Sequence, residues 1–361
     1  GPFPGFPVPL EGDDVSEQIE QYREQLPFSD QILTMDPPKH KAHRGLLMRL
    51  ITPKRLRENE DFMWRYADRQ IEEFVERGEC EFIRDFAQPF TLYVIADLMG
   101  IPEEDHEEFR RDLQGGGNPN REQGLGSTGE DTMSHSPLEF LYGRISAYVE
   151  ERRREPRDDV LTGLATATFP DGSLPEVIDV ARVAANVFSA GQETTVRLLG
   201  AALQIIAEYP DIQERLRSDY SLINGFVEEC LRYESPVKGD FRLARTTTQV
   251  GGVDVPAGSC LMVLNAAAGR DPRRFPSPDE FVMDRANAKE HLAFGRGPHA
   301  CPGGPLARAE TRISIERLLE RMKDIRLSES VHGSEGDRRF SYVPTYILRG
   351  LTRLNLEFTP A

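Results

Sequence analysis

The sequence has little of several features that define common protein classes. It holds four cysteines in 361 residues: Cys80, Cys230, Cys260 and Cys301. They are too few and too scattered for a disulfide framework in a chain of this length. The longest stretch without a charge, from Val255 to Gly269, is shorter than the roughly 20 residues that a membrane-spanning helix needs. Basic residues number 44 against 60 acidic ones, so a nucleic-acid or anionic-membrane surface is not expected. We expect a reduced, cytoplasmic protein with small-molecule ligands.

The beginning of the chain also lacks two signals. It opens GPFPGFPVPL, without an initiating methionine or a basic n-region, which predicts that no signal peptide is present and that the N-terminal part is missing. The length allows either two domains or one large one. Because no segment reads as a linker and no internal repeat is visible, we expect a single domain over residues 1–361.

Periodicity predicts a mainly α fold with a minor β-sheet region. Apolar residues three and four apart indicate helices near 56–77, 86–99, 137–153 and 211–234. Residues 241–265 change to short β-rich runs, which predict a small sheet. A last helix is expected from Pro305 to Asp324, followed by a hairpin-like tail over residues 345–358.

The segment from Leu113 to Ser136 is rich in glycine and has no apolar period. Gly124, Gly126 and Gly129 match the spacing G-x-G-x-x-G that many dinucleotide sites use. Such a site needs a hydrophobic strand before the motif and a helix beginning on it, and neither is present here. The segment is therefore interpreted as a mobile loop.

The most specific segment is HLAFGRGPHACPGGPLARAE, residues 291–310. Four glycines surround its cysteine, Cys301: Gly295, Gly297, Gly303 and Gly304. They let the backbone approach a bulky flat group, and Pro305 places the sulfur at a helix N-terminus that favours the thiolate. A buried thiol or a zinc ligand is the alternative, but zinc needs three or four ligands and only His299 lies close in sequence. One thiolate in an open cradle suits haem iron.

FGRGPHACPGG resembles the haem-binding signature of the cytochrome P450 superfamily. The resemblance implies that Cys301 is the proximal ligand of the iron in haem b. It also implies that Ala190, Phe294 and Gly303 contact the haem.

A second match is Glu229-Cys-Leu-Arg232, which resembles the E-x-x-R helix of the same family. Arg285 lies where the family places a second arginine, and the implied role of the three residues is a structural network. An ordinary i, i+3 ion pair is the alternative.

Residues 176–208 could form one helix roughly 50 Å long. Its apolar stripe is interrupted at 191–195, where threonine hydroxyls could bond back to the preceding turn and bend the helix. AGQETT also resembles the oxygen-activation motif of the family. That resemblance implies that Thr194 is the catalytic alcohol and Glu193 its acidic neighbour, and that together they relay protons to dioxygen.

In DPPKHKAHRGLL, His40 and Arg44 are four residues apart and share a helix face. A solvated basic face is the simpler interpretation. The resemblance implies that they bind haem propionates together with Arg242 and His299, through charge-assisted hydrogen bonds.

The resemblance runs from about Asp36 to the C-terminus and is strongest to haem domains of self-sufficient bacterial members. It implies the cytochrome P450 fold and a monooxygenase that inserts one atom of dioxygen into a small organic substrate, by hydroxylation or dealkylation. Electrons would come from NAD(P)H through FMN and a 2Fe–2S cluster on a fused or separate reductase. Arg296, Arg308 and Arg312 offer positive charge for its docking. A peroxide-driven peroxygenase and a non-catalytic haem-thiolate sensor are the alternatives.

Overall fold

The computed structural model describes residues 9–23, 31–115 and 136–361. Its α-helices are α1 (Ser16–Tyr22), α2 (Lys39–Leu50), α3 (Pro53–Glu72), α4 (Gln88–Met99), α5 (His106–Gly115), α6 (Ser136–Arg154), α7 (Val160–Ala165), α8 (Val177–Glu208), α9 (Pro210–Ser218), α10 (Ile223–Tyr233), α11 (Asn265–Ala268), α12 (Gly304–Arg321) and α13 (Glu329–His332). Its strands are β1 (Glu79–Glu81), β2 (Asp240–Leu243), β3 (Thr248–Val250), β4 (Val253–Val255), β5 (Cys260–Val263), β6 (Met322–Leu327) and β7 (Asn355–Pro360). The predicted fold class, mainly α with a minor β-sheet region, is confirmed.

The 32-residue helix α8 is the centre of the fold and runs as one helix, as its sequence predicts. It packs against α4 and α6 and also contacts α2, α10 and α12. Most of its residues from Val180 to Phe188 and from Thr195 to Ala207 are buried, so hydrophobic burial holds it in place. It ends where Tyr209 turns extended before Pro210, since a residue preceding proline disfavours the helical conformation.

Local signals set the ends of the neighbouring helices. Thr52 caps α3 by accepting a hydrogen bond from the Arg55 amide, with Pro53 in the first turn. Gly100 ends α4 in the left-handed conformation at φ 81°, which glycine adopts without steric cost. Because α4 is apolar on nearly all sides, it is buried between α3 and α8.

Strands far apart in sequence form a three-stranded antiparallel sheet in the order β1-β7-β6. Leu356 of β7 pairs with Cys80 of β1 on one side and with Leu327 of β6 on the other. The strands predicted within 241–265 form two antiparallel pairs, β2 with β5 and β3 with β4. Both glycines of the β3–β4 turn, Gly251 and Gly252, have positive φ, as a tight hairpin turn requires.

Several expected boundaries are wrong. The helix expected near 211–234 is two helices, because Asp219 is extended and its side chain accepts a hydrogen bond from the Ser221 amide. The last long helix ends at Arg321 rather than Asp324, since residues 322–327 pair with β7. The hairpin begins before the expected tail, with Tyr342 paired with Leu351, and the end of the tail forms β7 instead.

The remaining expected helices shift by a few residues. α3 stops at Glu72, and a short 3-10 helix, Val75–Arg77, follows before Gly78. A π-helical segment, Ile83–Ala87, leads into α4. The G-x-G-x-x-G match at 124–129 lies outside the described residues. Within the described ranges, no helix is long and apolar enough to cross a membrane.

Candidate haem site

The loop that carries Cys301 is a tight turn fixed by backbone hydrogen bonds. The Cys301 amide donates to the Phe294 carbonyl at 2.8 Å, which closes the loop. Gly295 and Gly297 have φ values of 62° and 76°, in the region that side chains other than glycine rarely adopt. Helix α12 begins directly after the cysteine, with Gly303 as its N-cap residue and Pro305 in its first turn.

Cys301 is exposed as a residue, although surrounding protein atoms desolvate its thiol. Burial raises the pKa of its thiol, while the amides of Gly303 and Gly304 and the charges of Arg44 and Arg308 act in the opposite direction. The amides at the helix N-terminus thus favour the thiolate, as the sequence suggests. In the protein without a bound metal, desolvation has the larger effect and favours the neutral thiol. Ligation to a metal cation would supply the missing stabilisation of the anionic sulfur.

Four nitrogen-bearing side chains gather beside this loop. The rings of His40 on α2 and His299 lie with centroids 4.1 Å apart. Arg44 donates to the Ala300 carbonyl at 2.5 Å, and Arg242 on β2 donates to the Phe241 carbonyl at 2.7 Å. In the part of the chain that the structure describes, no ion pair joins any of the four to a carboxylate.

Mutual repulsion acts within this cluster, although Asp36 and Asp240 partly offset it. The pKa of His299 is lowered by burial and then by the Arg242 charge. The pKa of His40 is lowered by burial, by His299 and by Arg44. An anionic group placed among these side chains would be stabilised, since it would replace repulsion with charge-assisted hydrogen bonds.

Helix α8 is less buried at its centre than on either side. It is buried up to Phe188 and again from Thr195, whereas Ala190 is exposed and residues 191–194 are half-buried. The Thr194 hydroxyl donates to the Ala190 carbonyl at 2.7 Å, the back-bond considered from the sequence. The helix remains continuous across this bond.

Glu193 does not approach Thr194 in this structure. Its carboxylate forms an ion pair with Arg197 one turn along α8, and the Arg197 side chain is buried against Gly350. A Cβ at Gly350 would lie 2.4 Å from Cγ of Arg197, so only glycine leaves room for this arginine. The structure therefore holds the predicted acid and the predicted alcohol in separate hydrogen bonds.

Glu229, Arg232 and Arg285 lie in one buried network behind the loop. Arg232 donates from Nε and Nη2 to the two carboxylate oxygens of Glu229, each at 2.7 Å. Arg285 donates from Nε to the same carboxylate at 3.0 and 3.1 Å. Arg232 also binds the carbonyls of Gly269, Pro278 and Glu280, so the network ties α10 to the segment before the cysteine loop.

Sequence reasoning missed two buried carboxyl groups near the site. Glu228 on α10 is hydrogen-bonded to His291 and Arg308, and these bonds, against the effect of burial, hold its pKa at about 2. Glu310 on α12 is fully buried, which raises its pKa to about 8, and accepts one hydrogen bond, from Thr195. The sequence did offer a signal for Glu228, since it forms a pair of adjacent glutamates with Glu229 on a mostly apolar helix.

The arrangement fits a haem group. Glycines line the loop, the cysteine is exposed, and two histidines and two arginines that could bind carboxylate groups lie beside it. The zinc alternative lacks support, because the described residues include no group of three or more His, Cys, Asp or Glu side chains able to hold a metal ion.

Comparison with known proteins identifies the class. The family model described as Cytochrome P450 matches residues 139–325. The chain therefore belongs to the cytochrome P450 family of haem-dependent monooxygenases, oxidoreductases that contain iron.

Named relatives agree with this assignment. Cytochrome P450 144 of Mycobacterium tuberculosis is 35% identical over 90% of this chain and 72% of its own length. Cytochrome P450 monooxygenase PikC of Streptomyces venezuelae is 31% identical over 91% of this chain and 76% of its own length. Substrate-free CYP150A6 of Mycobacterium marinum is 55% identical, with a TM-score of 0.92 over all of this chain and 84% of that one.

Proposed function

We propose that residues 1–361 form a haem-thiolate monooxygenase domain with Cys301 as the axial ligand of haem b. One observation carries the proposal: Cys301 lies in a glycine-lined loop just before α12, beside a cluster of two histidines and two arginines that form no ion pair with a carboxylate in the described part of the chain. When bound, the haem supplies the activation of dioxygen and the transfer of one oxygen atom to an organic substrate.

The cluster of His40, Arg44, Arg242 and His299 would bind the two propionates. Among the described residues, Arg44 and Arg242 donate to backbone carbonyls alone, so their other N–H groups could bind a carboxylate. Ala190 on the open stretch of α8, together with Phe294 and Gly303 beside the cysteine, would contact the haem faces. Glu229, Arg232 and Arg285 would support the loop from behind.

Thr194 and Glu193 would move protons on the open side of α8. The Thr194 hydroxyl donates a hydrogen bond to the Ala190 carbonyl, which leaves its lone pairs able to accept a hydrogen bond from water. Glu193 would need to leave Arg197 in order to deliver a proton to Thr194. Thus Arg197 would act as the resting partner of the acid.

The proposed reaction needs an organic substrate and an external source of electrons. A small organic molecule would be hydroxylated or dealkylated. Two electrons per turnover would come from NAD(P)H through a reductase with FMN and a 2Fe–2S cluster, fused to the chain or separate.

An absorption spectrum of the reduced carbon monoxide complex tests the ligand assignment. The wild-type protein should show the red-shifted band of thiolate-ligated haem, and Cys301→Ser should lose it together with turnover. Cys260→Ser is the matched control, since Cys260 is also exposed but lies on β5. If Cys301→Ser kept the band while another cysteine variant lost it, the assignment would be wrong.

A further inference from the structure

The Glu228 carboxylate joins three elements around the cysteine loop. It accepts from Nε and Nη2 of Arg308 on α12, at 2.5 and 3.1 Å. It also lies 3.2 Å from Nε2 of His291, at the beginning of the loop. The His291 Nδ1 accepts from the Ala293 amide at 3.1 Å, so the ring proton is on Nε2 and points to Glu228.

Arg308 lies close to the cysteine loop. Its guanidinium carbon is 4.6 Å from the centre of the Phe294 ring, and the Phe294 carbonyl accepts the Cys301 amide. A Cβ on Gly304 would lie 3.2 Å from Nη1 of Arg308 and 3.5 Å from the Phe294 ring. The glycine at 304 therefore lets this cation pack tightly against the ring beside Cys301.

Glu228 balances the charge of this arginine. Its carboxylate is buried, and Arg308 and His291 are the partners that make up for the lost water. Arg308 is more than a third exposed, but its ring and carboxylate contacts fix its head group next to the loop. The pair thus places one positive and one negative charge at fixed positions near the sulfur.

We propose that Glu228 and Arg308 form a positioning pair that tunes the reduction potential of the haem held by Cys301. This inference rests on the proposed function. Reduction adds one electron, taken from an external reductant, and makes the haem–thiolate unit more negative by one charge. A nearby cation stabilises the reduced form and a nearby anion destabilises it.

The two partners should therefore have opposite effects. Arg308→Gln removes the cation, so at a fixed ambient potential the ratio of ferrous to ferric haem should fall roughly three- to tenfold, where tenfold corresponds to about 59 mV. Glu228→Gln keeps the side-chain shape and an acceptor oxygen but removes the anion, so that ratio should rise. The double variant should return towards the wild-type value.

The experiment is a redox titration of the holoenzyme with dithionite and mediator dyes, followed by absorption. Haem content and the reduced carbon monoxide band are recorded for each variant. Arg308→Lys keeps the charge and should stay near the wild-type potential. Arg312→Gln is the matched control, because Arg312 lies one turn further along α12 and pairs with Glu60.

A loss of packing alone would shift both single variants in the same direction, and that result would overturn the proposal. Equal shifts in Arg308→Lys and Arg308→Gln would overturn it as well, even if Glu228→Gln failed to fold. Absence of the thiolate band in the wild-type protein would instead count against Cys301 as the ligand, so the two failures are distinguishable.

Discussion

The Thr195 hydroxyl on α8 donates a hydrogen bond to the Glu310 carboxyl on α12, with Oγ1 and Oε2 3.2 Å apart. The contact joins two helices at a fully buried position, one residue after the proposed catalytic alcohol. Burial raises the pKa of Glu310 to about 8, so the acid is mostly protonated at neutral pH.

This raised pKa predicts a pH-dependent cost to stability. Between the ordinary pKa of 4.5 and about 8, the unfolded chain loses this proton while the folded chain keeps it, so the free energy of unfolding falls as pH rises through that window. Glu310→Gln cannot ionise, so it avoids this cost, which for a pKa raised from 4.5 to about 8 is about 4 kcal/mol at pH 8.

Chemical denaturation at pH 5 and pH 8 measures the effect, which should be small at the lower pH. Glu234→Gln serves as a control, because Glu234 is paired with Arg349 near the surface. An equal difference at both pH values would show that Glu310 does not titrate as described.

Replacing Thr194 should act on coupling rather than on binding. Thr194→Ala removes a hydroxyl whose hydrogen bond, among the described residues, lies within its own helix, so haem content and substrate affinity should remain nearly unchanged. Consumed reductant should appear increasingly as hydrogen peroxide, and product formation should slow by up to the roughly 10²–10⁴-fold that general acid catalysis contributes. The hydrogen peroxide yield per NADPH is the measurement.

Thr195→Ala is the comparison for Thr194→Ala, because Thr195 is buried against Glu310 on the neighbouring face. If only Thr195→Ala increased the peroxide yield, the proton role would belong to the Thr195–Glu310 contact. Unchanged coupling in Thr194→Ala would leave its hydroxyl with a helix-bending role alone.

The buried network at Glu229 predicts a large loss of stability. Glu229→Gln leaves Arg232 and Arg285 without their shared anion, and breaking a buried pair in this way costs about 3–5 kcal/mol. The free energy of unfolding in urea, measured on the holoenzyme, checks this value. A loss below about 1 kcal/mol, the range of exposed ion pairs, would contradict the structural role.

The proposed reductase dependence has two separate tests. The purified chain, free of flavin and iron–sulfur clusters, should not reduce its ferric haem with NADPH alone in stopped-flow measurements. Adding a flavin/iron–sulfur reductase should restore reduction. Rapid reduction by NADPH alone would contradict the external electron route.

The docking site expected from sequence needs revision, because two of its arginines are already paired. Arg308 binds Glu228 and Arg312 binds Glu60, whereas Arg296 is exposed on the cysteine loop. Arg296→Glu should slow partner-driven reduction severalfold at low salt and less at high salt. Arg273→Glu, at an exposed arginine outside the cysteine loop that pairs with Asp271, should have no effect. Equal rates for both would exclude Arg296 from docking.

The sequence predicts α8 well because a long apolar stripe constrains a helix strongly. It predicts the position of Cys301 before a helix for a related reason, since glycines and a proline restrict the backbone directly. The end of α12 at Arg321 is not visible in the sequence, because the pairing with β7 that decides it involves a distant segment. The break at Asp219 depends on a local contact with the Ser221 amide, which the apolar period across residues 211–234 hides.

Side-chain partners are harder to foresee than elements. Glu228 and Glu229 are adjacent and chemically identical, yet they bind different arginines on different parts of the chain. The pairing of Glu193 with Arg197 could be read from their i, i+4 spacing, but the burial of Arg197 depends on Gly350 far along the chain. Such long-range packing is not encoded in any local pattern.

The strand order β1-β7-β6 has a consequence for biosynthesis. β7 lies between its partners, so β1 and β6 share no hydrogen bonds and cannot form this sheet without residues 355–360. On the ribosome, β1 is made more than two hundred residues before β7. The backbone groups of Cys80 and its neighbours therefore lack their β7 partners, and remain accessible to chaperones, until residues 355–360 have been synthesised.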